Sequence, residues 1–184
     1  MNALIKKATI ICPSSPFHLQ VKDVLIVDGI IKAIENEISS DNYQTITGNN
    51  LHLSIGWMDI FADFAEPGNE HRETLETGAN AAAAGGFTDV MLVPDTIPTV
   101  SSKSQIEFLI ERSKSLPVTI HPIGSITKNA EGTALTEIYD MYNSGAIAFS
   151  DGRKSIQQAG VLLKALQYVS AKDAVIIQDR KSVV

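Results

Sequence analysis

Three carboxylates stand close together at Asp59, Asp63 and Glu66, just ahead of the turn dipeptide Pro67-Gly68. Oxygen donors gathered at one strand end could hold a hard cation such as magnesium or calcium. The blander alternative is a solvated loop around that turn, with Asp59 accepting backbone hydrogen bonds as a scaffold residue. It is the favoured reading. Of the four histidines, His18 and His52 belong to the first fifty-odd residues and have no partner pattern. His71 reads as a surface residue of a first helical turn, and His121 as a structurally satisfied residue inside a strand. Lys128 reads as an exposed loop lysine, since a catalytic one would need burial to depress its pKa. Cys12 is the single cysteine, has no neighbouring histidine or cation, and reads as a buried structural thiol. A lone cysteine excludes an internal disulfide framework and a cysteine-rich zinc site. Ser150-Asp151 lacks the strained elbow that a serine nucleophile needs. No glycine-rich phosphate loop follows a strand, because Gly85-Gly86 precedes one.

The elements that must position these residues fall into two patterns. Over the first fifty residues, β-rich runs at 4–12, 23–27, 30–34, 43–46 and 51–55 surround the hairpin dipeptide Asp28-Gly29. They predict a small antiparallel β module over residues 1–52. From residue 53 to 184, apolar strands at 55–61, 89–93, 118–123, 146–149 and 174–177 alternate with helical stretches, at roughly thirty-residue spacing. Continuous rather than alternating apolar character predicts strands covered on both faces. Leu75, Gly78, Ala79, Ala82 and Ala83 make a narrow helical face of small residues that Gly85-Gly86 ends. Ser102 with Gln105 and Ser155 with Gln158 fit capping boxes. Two more apolar stripes run through Leu135, Ile138, Tyr139, Tyr142 and through Leu162, Ala165, Leu166, Val169. The βα order predicts either an open parallel sheet or part of an eight-stranded barrel, with chemistry at the C-terminal strand ends.

Composition narrows the partners. The chain has 184 residues, 44% hydrophobic and 20% charged, and a net charge of −6. This suits a globular protein and disfavours a nucleic-acid binder, which needs cations to displace counterions from phosphates. No apolar run reaches the ~20 residues of a membrane span, and no signal peptide is legible, so a cytoplasmic protein is expected.

At the strand ends the sequence resembles a known family. The run Gly56-Trp57-Met58-Asp59-Ile60-Phe61-Ala62-Asp63-Phe64-Ala65-Glu66-Pro67-Gly68 is similar to the first barrel strand of dihydroorotases and related cyclic amidohydrolases. The likeness continues through Glu73-Thr74, Thr77-Gly78, Gly85-Gly86-Phe87-Thr88, Pro94-Asp95-Thr96-Ile97-Pro98, His121-Pro122-Ile123-Gly124-Ser125-Ile126-Thr127-Lys128 and Phe149-Ser150-Asp151. It implies an α/β fold: the N-terminal part of an amidohydrolase-type (β/α)8 barrel, about five of eight strands, with a small N-terminal β-sandwich module.

That family opens or closes cyclic amides with zinc, and the resemblance implies where its machinery would stand. Its first strand carries two histidines separated by one residue, where this chain has Phe61 and Asp63. The family's substrate-clamping arginine falls on Ala65, and its carboxylate-holding asparagine on Asp95. Of the paired aspartates after the fourth strand, Asp151 remains and Gly152 follows. The histidine after the fifth strand falls at Gln178 or Asp179. Phe61 cannot offer zinc a lone pair, so too few ligands remain, and without zinc no water is acidified. The resemblance therefore implies a metal-free, catalytically inactive member with no cofactor expected. Inactive members of this kind can accompany aspartate transcarbamoylase, so that enzyme, or self-association, is the expected partnership. The alternative is an active cyclic amidohydrolase with altered ligands, for instance Asp63 with Asp151 or Asp179. The likeness also ends after the fifth strand, so the chain is expected to be a piece of a longer product or to need another chain to cover its open edges.

Overall fold

The structure, a computed structural model, describes residues 2–39 and 42–178. Two compact units meet at the Ile55–Gly56 junction, three residues beyond the expected boundary. The first holds β1 (Ala3–Ile11), β2 (Val21–Val27), β3 (Ile30–Glu35), β4 (Gln44–Ile46) and β5 (His52–Ser54) in one sheet. β1–β2 and β2–β3 are antiparallel, the second pair joined at Asp28-Gly29. The expectation of a wholly antiparallel module is corrected on the other side of β1. There β4 pairs in parallel with Ala3–Ile5, and β5 in parallel with Thr9–Ile11. A nine-residue strand is long enough to give each three-residue strand its own stretch of backbone. Ile5, Ala8, Ile10 and Val24 form the core of this unit. Cys12 is only half-buried, its Sγ 3.4 Å from Ser14 Oγ, so the buried thiol of the sequence reading is corrected too.

Asp23 is the buried charge of this sheet. Its carboxylate accepts from the Lys6 ammonium and from the backbone N–H groups of Lys7 (2.8 Å) and Ile38 (2.9 Å). Burial alone would raise the Asp23 carboxyl; the Lys6 hydrogen bond and the two N–H groups outweigh it and hold the group below its ordinary 3.8. A depressed folded pKa means that this stabilisation is complete above the unfolded value and is lost as pH falls through the folded one. Resistance of the first unit to urea, followed by amide exchange on β1 and β2, is expected to fall as pH drops below 3.8. Asp23→Asn is expected to remove that acid-dependent part while costing about 1–3 kcal/mol at neutral pH.

The second unit runs β6 (Trp57–Ala62), α1 (Leu75–Ala84), β7 (Phe87–Leu92), α2 (Lys103–Ser113), β8 (Thr119–Gly124), α3 (Ile138–Asn143), β9 (Ala148–Phe149), α4 (Ala159–Val169) and β10 (Val175–Ile176). All neighbours pair in parallel and in chain order. Val90, Leu92, Ile120 and Phe149 pack against Leu75, Ala79, Ile106, Leu109, Met141 and Ala165, so all four helices contribute to one face. Residues alternate along a strand, so Met91, Ile123 and Ala148 line the opposite face, where Phe61 and Ile177 join them. Sequential strand order with helices on a single face is barrel winding, not the reversed order of a doubly wound sheet. Among the described residues, no helix is long and apolar enough to cross a membrane.

Helix starts differ from the expected pattern. The capping box that forms belongs to Thr74 and Thr77 at α1. Ser102 Oγ donates to the Gln105 side chain (2.8 Å) and caps no backbone group. Ser155 Oγ accepts from Gln178 Nε2 (2.9 Å), and α4 begins only at Ala159, so the second expected box is absent. Leu135 lies outside α3, bridging to Thr127, and Leu166 is about half exposed.

Candidate functional site

The loop after β6 is built on carboxylates that accept backbone N–H groups. Asp59 Oδ1 accepts from Phe61 N–H (3.0 Å), and Asp63 Oδ1 accepts from Ala65 N–H (3.1 Å). Glu66 Oε2 accepts from Leu75 N–H (2.7 Å), supplying negative charge to the first turn of α1. The local hydrogen bonds turn the chain sharply enough that Ala65 has φ +60° and is buried. The Phe61 ring meanwhile packs with Met91, Ile123 and Ala148. A side chain that the resemblance places at a metal seat is thus part of an apolar layer.

The ends of β7 and β9 converge on the same loop. Asp63 Oδ2 accepts from Arg153 Nη2 at 3.1 Å and from Arg72 Nη2 at 3.4 Å. Asp95 Oδ2 accepts from the backbone N–H of Arg153 (3.1 Å). Gly152 lies so near that a Cβ there would sit 1.9 Å from Asp95 Oδ1, and its φ is +63°. Asp151 faces a different partner. Its carboxylate, 2% exposed, accepts from Thr127 N–H (2.8 Å) and from the Thr127 hydroxyl. Thr127 Oγ1 in turn accepts from Gly132 N–H (2.8 Å), which fixes the loop after β8. A cleft of about 380 Å³ opens beside it, lined by Glu131, Asp151, Lys154 and Gln158.

The remaining candidates are dispersed. Gln178 is half-buried and holds Ser155, while Asp179 lies outside the described residues. His121 Nε2 lies 2.8 Å from Asp89 Oδ1 across β8 and β7, and that contact holds the Asp89 carboxyl below its ordinary value. His71 is exposed, as is Lys128 in a short 3-10 turn, Lys128–Ala130. His18 Nδ1 accepts from Cys12 N–H (3.2 Å), and His52 Nδ1 lies 2.9 Å from Asn50 O. Arg153 and Arg72 are the site residues that sequence reasoning missed. Arg153 had only its place at a strand end to mark it, and its partner lies ninety residues away.

Zinc, which the resemblance implies, requires nitrogen, sulfur or oxygen donors converging at about 2.0–2.3 Å. Phe61 offers carbon. Asp63 is taken by two guanidinium groups, and Asp151 by Thr127. Among the described residues, no group of three His, Cys, Asp or Glu side chains could hold a metal ion. The described residues do not fit the ion.

The chain can now be set beside known proteins. A family model described as dihydro-orotase-like matches residues 52–181. The dihydroorotase of Pelotomaculum thermopropionicum is 36% identical over 177 residues, covering 96% of this chain and 41% of that protein. That of Streptococcus pneumoniae is 35% identical over 164 residues, covering 89% and 39%. The chain therefore spans about two fifths of the length of these curated relatives. Among solved structures, the L-hydantoinase (dihydropyrimidinase) of Arthrobacter aurescens aligns with a TM-score of 0.75 at 19% identity, over 95% of this chain and 40% of that one. A dihydroorotase aligns at 0.64 and 11% identity, over 95% and 50%. These structural likenesses bear on the fold alone, which is that of the N-terminal part of an amidohydrolase barrel. Since the family match covers more than half of the chain, including all of β6 to β10, the protein belongs to the dihydroorotase-like family.

Proposed function

We propose that this chain is a non-catalytic dihydroorotase-like protein of the pyrimidine-biosynthesis type. Its role is structural: it supports the assembly of aspartate transcarbamoylase. The observation that carries the reading is the ring of Phe61, seated among Met91, Ile123 and Ala148 where an electron-pair donor would be needed. The neighbouring groups support it: Asp63 is neutralised by arginine, and Ala65 offers no cation to a substrate carboxylate. An anionic Asp95 would repel such a carboxylate rather than hold it.

The test uses the longest natural form of the protein. Elemental analysis is expected to find no stoichiometric zinc, and dihydroorotate is expected to stay intact with added zinc or manganese. About one zinc per chain, or metal-dependent turnover, would overturn the non-catalytic reading. Co-elution with aspartate transcarbamoylase in size-exclusion chromatography is the expected result for the assembly role. Separate elution at micromolar concentrations would remove that half of the proposal.

A further inference from the structure

The sheet order sets β8 and β7 between β9 and β6. Arg153, four residues beyond β9, nevertheless reaches Asp63, the first residue beyond β6, at 3.1 Å. Three strand spacings of about 4.8 Å separate those strands along the sheet, a span that the four residues after β9 and the arginine side chain together bridge. The same residue's backbone N–H holds Asp95, beyond β7. One arginine therefore ties three strand ends together. Its partner carboxylate is 15% exposed, whereas the arginine is 62% exposed. Asp63 is thus fixed from inside by Ala65 N–H and closed from outside by a guanidinium.

We propose that Arg153 is the closing pin of this site: its guanidinium, lying across the mouth on Asp63, links the loops after β6, β7 and β9 and gives the carboxylate a cation that belongs to the chain. This rests on the non-catalytic reading and adds to it that the site's occupant is a guanidinium supplied in cis. A planar fork with several N–H donors suits the role, because it can bond the carboxylate directionally and not merely balance its charge.

The experiment is amide hydrogen exchange on the full chain, read at residues 61–65 and at Asp95 and Thr96. Arg153→Ala is expected to speed exchange there about threefold to fivefold, the scale of one exposed ion pair, and to leave the first unit unchanged. Arg153→Lys, which keeps the charge but loses the planar fork, is expected to restore only part of the protection. Asp63→Asn, which also releases Arg72, should speed the same amides at least as much, and adding Arg153→Ala to it should add nothing further, because the partner carboxylate is already gone. Unchanged rates in Arg153→Ala, full protection in Arg153→Lys, or additive effects in the double variant would overturn the pin. Metal-dependent turnover of dihydroorotate would instead defeat the non-catalytic reading and leave these exchange rates as they are.

Discussion

Asp151→Ala is expected to lower the unfolding free energy by about 3–4 kcal/mol, measured as a shift in the urea midpoint. The carboxylate is 2% exposed and receives both the N–H and the hydroxyl of Thr127, which is itself fully buried. Removing it leaves two donors in a place that water does not reach, and a buried donor without a partner costs its full desolvation. The damage should spread to residues 127–136, since Thr127 also fixes Gly132, and Thr136 bonds back to the carbonyls of Ser125 and Ile126. Asp151→Asn keeps one carbonyl oxygen to accept from Thr127 N–H, so it should cost about half as much. A metal ligand would be told apart by metal content, which its loss would lower and which Asp151→Ala is expected to leave unchanged. A loss below about 1 kcal/mol would mean that Asp151 does not hold this loop.

Much of this architecture was legible in the residues. Continuous apolar runs and thirty-residue spacing marked the parallel strands, and the stretch from Gly56 to Pro98 carried the family likeness that fixed barrel over open sheet. Positions 61, 63 and 65 stood out only against that likeness, and the resemblance alone marks them as replaced. What stayed hidden depended on the third dimension. Pairing of β4 and β5 with opposite ends of β1 follows from the path of two loops, which no period encodes. The Ser155 cap failed because Gln178, twenty-three residues on, competes for its hydroxyl. Nothing in the local pattern singled out Arg153, because its partner Asp63 stands ninety residues earlier and the two meet only in the fold. Asp151 and Asp63 both read as candidate ligands from chemistry alone. Their real partners, Thr127 and two arginines, separate them into a buried structural network and a half-buried ion pair.

Gly68→Ala is expected to cost about 3 kcal/mol, by two separable effects. Gly68 ends the Glu66-Pro67-Gly68 turn with φ +104°, a conformation that an L side chain occupies only at about 1–3 kcal/mol. A Cβ there would also stand 2.2 Å from the carbonyl oxygen of Ile97 and 2.6 Å from its Cβ. The obstacle is backbone of the loop after β7, held by Ile97 N–H donating to Pro67 O at 3.0 Å, so it cannot rotate aside as a side-chain tip could. Relief requires the loops after β6 and β7 to part, which draws Asp63 and Asp95 away from Arg153. Gly86→Ala supplies the comparison: its φ is +87°, yet a Cβ would meet nothing within 4 Å. It should therefore cost only the conformational part, about 1 kcal/mol. Thermal unfolding of the two variants side by side separates strain from overlap. Equal losses would mean that close apposition of the two loops adds nothing, and that the strand-end site is held by its carboxylates and arginines alone.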